Sequence, residues 1–242
     1  MLDEEKFLNS IRSIIRACEF VSINYQGINA YVRNFFPTNK SHWSKIYPLG
    51  YRRRRNNNDE LDFLFIIGSL AFCFWGFPKK WTIVYKNKKL DGWWAYVASC
   101  ERALESGLQL LEGEYLSGLS LDETREIFAG EPEIPLLAKR KEILNKIGKT
   151  LVEKYDGRFH VFYQRQPQEA LSLIEKIANE FYGFDDVALY HGTKVLFYKK
   201  AQVVLTDIFE IFLGQGYGKI KNIDKLHGHA DYKIPAFIST II

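Results

Sequence analysis

Cysteine is scarce in this chain of 242 residues, and what there is does not pair. Cys18, Cys73 and Cys100 are odd in number, widely spaced and without a Cys-x-x-Cys pair. That excludes a disulfide framework and a cysteine zinc site, and predicts buried thiols in a reducing compartment. Long apolar runs are missing as well. None approaches the roughly 20 residues needed to span a bilayer, so a soluble, cytoplasmic protein without a membrane partner is expected. Neither sign of charge dominates: 33 Lys and Arg stand against 29 Asp and Glu, a formal charge of +4. Such a balance does not mark a nucleic-acid binder unless the excess is clustered, and no stable nucleic-acid complex is expected. Internal repeats are absent, and the only biased stretch is Arg52-Arg53-Arg54-Arg55 followed by three asparagines.

What is present is apolar and aromatic. At 47% hydrophobic and 15% aromatic residues, the chain buries a substantial core, read as one helical domain over residues 1–242 with two lobes. Helical spacing runs through Phe7, Leu8, Ile11, Ile14 and Ile15, and again around Ile23 to Phe36. The interval 37–58, rich in Pro, Asn, Ser and Arg, reads as an exposed, flexible connection. The unbroken apolar run from Glu60 to Phe74 is too long for a strand and predicts a buried helix. Trp81 to Tyr85 with a turn at Lys86 to Lys89 predicts a hairpin. Helices are expected over Trp94 to Leu111, Leu136 to Tyr155 and Gln168 to Phe181, with a capping box at Ser120 to Glu123. Val187 to Tyr190 reads as a short extended piece. The fold class is mainly α with one small β-hairpin.

The helix expected from Leu196 to Phe212 carries charges where a core helix should carry none. At a 3.6-residue period Lys200 and Asp207 share one face two turns apart, and Lys199, Gln202 and Thr206 form an adjacent polar stripe. Burying such groups is expensive unless they are paired, which points to a polar-lined cavity able to hold an anion or polar ligand. Gly214-Gln215-Gly216-Tyr217-Gly218 follows a helix, lacks the strand-loop-helix setting of a phosphate loop, and reads as a helix terminator.

Several motifs occur together in a fixed order. Gly68 to Gly76, Trp81-Thr82, Asp91 to Ala95, Arg102 to Glu105, Ile134 to Leu137 with Arg140 and Ile143 to Asn145, Phe197 to Gln202, and Ala230 to Pro235 follow one another. This order resembles that of the queuosine salvage proteins over roughly residues 61–235. The resemblance implies a queuosine 5′-phosphate N-glycosylase that frees the base queuine for reuse in tRNA. It also implies a fold like that of helical DNA glycosylases. Relative to that family the chain has Lys199-Lys200 where Lys-Arg is usual, and it is expected to have a short C-terminus, stopping at Ile242.

Cleaving an N-glycosidic bond requires a group that tolerates positive charge on the ribose and a means of activating water. A carboxylate serves both needs. Asp231 is assigned the principal role, the alternative being a helix cap or an ion pair with a lysine. Asp207 is the second candidate carboxylate, the alternative being a buried partner of Lys200. Lys199 and Lys200 are candidates to hold the 5′-phosphate or steer the aspartate, or else snorkelling lysines. Lys233 is a further phosphate contact or a surface residue, Tyr198 and Tyr232 are hydroxyl donors or packing, and His229 belongs to the same binding set. A flat deazaguanine base needs π-faces, for which Phe72 and Trp94 are the first choices and core packing the alternative. His227 and His229 with Asp231 lack a matching distant ligand set, so neither metal nor cofactor is expected. The Arg52 to Arg55 run is either a solvated loop or an attractor of anionic substrate or tRNA. An enzyme would gather Asp231, Lys199 and aromatic rings in one closed, nucleotide-sized pocket, in a monomer or weak oligomer. A nucleic-acid binder would show an open basic groove continuous with Arg52 to Arg55, and a non-catalytic deazapurine-binding module would keep the aromatic pocket without turnover.

Overall fold

A computed structural model describes residues 2, 4–19, 22–34, 42–76, 78–227 and 231. Among them the chain forms, in order, α1 (Glu4–Ala17), α2 (Tyr25–Asn34), α3 (Trp43–Ile46), α4 (Asn57–Ser69), β1 (Thr82–Tyr85), β2 (Lys88–Asp91) and α5 (Gly92–Glu105). There follow α6 (Gly113–Gly118), α7 (Leu121–Ile127), α8 (Leu137–Lys154), α9 (Phe159–Gln164), α10 (Ala170–Glu180), β3 (Val187–Tyr190), β4 (Thr193–Leu196) and α11 (Lys199–Ile211). Among the described residues the protein is mainly helical, with two antiparallel hairpins rather than the one expected. No helix among the described residues is long and apolar enough to cross a membrane.

The second hairpin takes the first residue of the long helix expected from Leu196, and α11 begins at Lys199. Thr193–Leu196 pairs with Val187–Tyr190 across His191 and Gly192, both at positive φ (45° and 78°), the backbone a tight two-residue hairpin turn requires. β-Branched Thr193 and Val195 favour the strand, and Ala188, Leu189 and Lys194 face solvent. The first hairpin has the same logic, with Lys86 and Asn87 at φ 48° and 60°.

α4 is the central helix. Asn56 caps it by accepting from the Asn58 amide, Asp59 and Glu60 occupy its positive end, and every side chain from Glu60 to Ser69 is buried. Such a helix has no solvent face, so its neighbours must cover it on all sides. α11 crosses it at Gly68, where an added Cβ would stand 2.2 Å from Val204 Cγ2. α6 lies equally close on α8: a Cβ on Gly148 would stand 2.4 Å from the Ser117 amide nitrogen. Asn145 of α8 donates to the carbonyls of Leu116, Ser117 and Leu119, closing the C-terminal end of α6. Between α4, α9 and α10 the rings of Phe65 and Phe159 stack at 3.9 Å, with Phe181 and Phe184 packed on Phe65. One contiguous apolar core runs from Leu2 to Ile220.

Three expectations are corrected. Residues 42–58 do more than connect: Tyr47 is 4% exposed and Trp43 packs against the core, because aromatic side chains here outweigh the surrounding polar ones. α2 buries none of its side chains, so its apolar pattern does not mark a core face. The thiols are not all buried. Only Cys100 is, its thiol pushed up to about 12 by burial. Cys73 is exposed because it sits at φ 46° in the turn after α4 with its carbonyl, not its side chain, turned to the interior. The capping box of α7 and the termination of α11 at Gly214 and Gly216, both at positive φ, form as expected.

Candidate active site

The end of α4 creates an electrostatic demand. A helix C-terminus leaves carbonyls without intrahelical donors and concentrates partial negative charge. Here the chain leaves the helix through Leu70-Ala71-Phe72-Cys73, and every carbonyl from Ser69 to Cys73 is taken by a cation. Lys200 Nζ donates to Ser69 O at 3.0 Å and Lys199 Nζ to Ala71 O at 3.2 Å. Arg140 covers the rest: Nη1 to Leu70 O at 3.0 Å, and Nη2 to Phe72 O and Cys73 O at 2.6 and 2.8 Å. Its Nε returns to Pro135 O at 3.0 Å, so the guanidinium also ties the start of α8 to this turn.

The two innermost cations are held against their solvation preference. Arg140 is fully buried, and burial lowers its guanidinium to about 10. Lys200 is 8% exposed; burial lowers its ammonium to about 8, opposed by the nearby Asp186 and Asp185 carboxylates. Aromatic faces supply part of the missing solvation. The Phe72 ring lies 4.6 Å from the Arg140 guanidinium carbon and 5.4 Å from Lys200 Nζ, and the Phe184 ring lies 5.1 Å from the same ammonium. Phe72 is thereby fixed by both its carbonyl and its ring.

Lys199 links this turn to Asp231. Its Nζ stands 2.8 Å from Asp231 Oδ2, with the two side chains 19% and 28% exposed. Asp186 sets the lysine's position by accepting from the Lys199 amide at 3.1 Å, while its own carbonyl accepts from Phe197 and Tyr198. Gln202, one turn along α11, accepts from the His227 amide at 2.8 Å and so holds the chain just before Asp231. A cavity of about 300 Å³ opens beside Lys199, Lys200 and Phe72, bordered also by Asp185 and Asp186.

Asp207 occupies a different setting. The expected Lys200–Asp207 pair gives way to separate partners: Asp207 Oδ1 accepts from His42 Nε2 and Trp43 Nε1, each at 2.9 Å. Side chains on a helix lean toward its N-terminus, so the ammonium of Lys200 moves away from a carboxylate two turns behind it. From Asp207 a run of rings leads back toward Arg140. Trp43 meets Trp93 edge-on at 5.6 Å, Trp93 meets Phe74 at 6.1 Å, and Phe74 lies 5.5 Å from the Arg140 guanidinium carbon. Trp93 Nε1 is buried among them and has no hydrogen-bond partner among the described residues.

Of the residues expected from sequence, the structure brings together Lys199, Lys200, Phe72 and Asp231. It does not bring Tyr198 or Trp94 to them. Tyr198 is buried toward Phe7, their rings 6.5 Å apart. Trp94 packs on Tyr47 at 5.7 Å and faces the first hairpin. His229, Tyr232 and Lys233 lie outside the described residues. Asp91 ends β2 and precedes α5. Sequence reading missed Arg140, Asp186, His42 and Trp43 as parts of this region. Arg140 was detectable: it shares a helical face with Ile143, Leu144 and Ile147, the same charge-among-apolar signal that singled out Lys200. His42 and Trp43 had no such signal, because their partner lies 165 and 164 positions away.

Comparison with known proteins identifies the family. The profile of a family described as queuosine salvage protein matches residues 51–241. A Sphaerobacter thermophilus protein named queuosine 5′-phosphate N-glycosylase/hydrolase is 40% identical over 174 residues, covering 72% of this chain and 54% of that protein. Proteins of the same name from Nematostella vectensis and Mus musculus are 34% identical over 179 residues and 28% over 237. The Nematostella match covers 72% of this chain and 52% of that protein, the mouse match 95% and 70%. The chain thus spans about half the length of most of the curated relatives it matches.

Proposed function

Because the chain belongs to the queuosine salvage protein family, we propose that it hydrolyses the N-glycosidic bond of queuosine 5′-monophosphate or a closely related deazaguanine nucleotide, releasing queuine. The observation that carries the reading is the Asp231–Lys199 ion pair, set beside a turn that three cations hold in place.

In this reading water adds its hydroxyl to C1′ of the ribose, the bond from C1′ to the base nitrogen breaks, and the second proton of the water ends on the base. Positive charge develops on the ribose ring as the bond lengthens. Asp231 stabilises that charge and accepts the water proton, and Lys199 orients the carboxylate. A 7-deazaguanine lacks the N7 lone pair through which a purine base can be protonated for departure. Stabilisation at the sugar therefore carries more of the work, which fits a site centred on a carboxylate. Lys199 and Lys200 also supply the positive field for a 5′-phosphate, and Phe72 supplies ring surface for the base. Asp207, held by His42 and Trp43, positions Trp43 against Trp93.

The test is incubation with queuosine 5′-monophosphate and, in parallel, the unphosphorylated nucleoside, with free base followed by mass spectrometry beside Asp231→Asn. Release from the nucleotide that disappears in the variant is expected. No release from either substrate overturns the reading and leaves a base-binding module.

A further inference from the structure

The slight net charge of the chain hides a strong local one. Residues 48–55 and 79–91 contain nine Lys and Arg and a single carboxylate, Asp91, in a chain whose total is only +4, so the remainder is net acidic. The fold brings these two segments together. Lys88 of the first hairpin donates to the Pro48 carbonyl, and Arg52, Arg54 and Lys86 border one cavity. Arg52, Arg55, Lys79 and Lys89 are exposed and have no carboxylate partner among the described residues.

Two cavities flank the hairpin on this face. One, of about 620 Å³, lies between Arg52, Arg54, Lys86, Glu101 and Glu105 and is the larger of the two. The other, of about 490 Å³, lies between Pro48, Lys88, Lys89, Asp91 and Trp94. Neither is bordered by Lys199 or Lys200. Each therefore has cations at its border and carboxylate acceptors with it, and the second has an indole.

We propose that this face docks a single-stranded polynucleotide, its phosphates on the exposed lysines and arginines and a base in each flanking cavity. The carboxylates decide between polyanions. Glu101, Glu105 and Asp91 repel the carboxylates of an acidic peptide but accept hydrogen bonds from the exocyclic amino groups of bases. Each cavity admits an unstacked base, which a duplex does not offer, and Trp94 gives one of them a ring surface for stacking. The net positive field of the two segments steers such a strand toward the hairpin. This docking is independent of the role given to Asp231.

The test uses the intact chain and fluorescein-labelled 12-residue oligonucleotides, RNA and DNA in separate arms, read by anisotropy at increasing KCl. Binding is expected to weaken with salt at a log–log slope of about −2, the value for about three phosphates on a single strand. Arg52→Glu/Lys89→Glu should weaken it at least tenfold while the thermal midpoint and nucleotide hydrolysis stay as in the wild type. Equal binding by the variant, or equal affinity for a duplex of the same sequence, overturns the proposal. So does hydrolysis that falls in parallel with oligonucleotide binding, since the two would then share one site. Capture by phosphatidylserine vesicles without oligonucleotide binding would assign the face to a membrane surface instead.

Discussion

Replacing Lys200 with methionine should make the protein more stable and less active. The lysine ammonium is 8% exposed and is lowered from 10.5 to about 8. A displacement of that size corresponds to about 3 kcal/mol of unfavourable free energy for keeping the group charged in the folded state. The sign follows from proton counts. Between pH 8 and 10.5 the unfolded chain binds the lysine proton and the folded chain does not, so stability rises with pH across that window and the penalty is fully present below pH 8. Methionine keeps the apolar stem against Phe72 and Phe184 and removes the charge. It also removes the hydrogen bond to Ser69 O, worth about 1 kcal/mol. The variant should therefore gain about 2 kcal/mol at pH 7, or about 4–8 °C in thermal midpoint for a chain of this size. Unfolding of both proteins at intervals from pH 6.5 to 10.5 is the assay, and the gap should close toward the alkaline end. A variant less stable than the wild type at pH 7, by an amount that does not change with pH, would refute the reasoning and make Lys200 a structural tie. Hydrolysis of the nucleotide should fall in the variant, since a charge held against its solvation preference is retained for what it binds.

Other substitutions test the neighbouring parts. Arg140→Met removes a donor from four carbonyls and should destabilise by about 3 kcal/mol, read by urea unfolding; Arg140→Lys keeps the charge but loses the fork and should recover only part of the loss. Gly68→Ala places a methyl group 2.2 Å from Val204 Cγ2 and should cost about 1–3 kcal/mol as α4 and α11 are forced apart, an effect that Gly68→Ala with Val204→Ala should partly reverse. Trp43→Phe removes one donor to Asp207 and should lower stability by about 1–3 kcal/mol, with a change in tryptophan fluorescence reporting the altered packing on Trp93. Asp231→Asn should abolish base release with little change in unfolding midpoint, because its carboxylate is partly exposed.

Periodicity and end signals made most helices legible. α4, α5, α8 and α10 each carry a long local pattern whose meaning does not depend on distant partners. α6 and α9, six residues each, were missed because too few turns are present for a period to emerge. The β3–β4 hairpin was half seen: Val187 to Tyr190 reads as extended, but Thr193 to Leu196 runs into the apolar start of α11, and only pairing with β3 separates strand from helix.

The site divides along the same line. Sequence by itself determined that Lys199, Lys200 and Asp207 are out of place among apolar neighbours, because burying charge without compensation is costly wherever the chain folds. Its ordered motifs also identified the family. Tertiary structure alone decided what compensates the charges. The carbonyls of residues 69–73, the rings of Phe72 and Phe184, and the His42 and Trp43 donors to Asp207 lie on segments far apart in the chain. It also decided that Trp94 faces the first hairpin while Trp93 joins the ring cluster. Adjacent helical positions differ by about 100° in direction, and no composition rule says which of two tryptophans a neighbouring helix will cover.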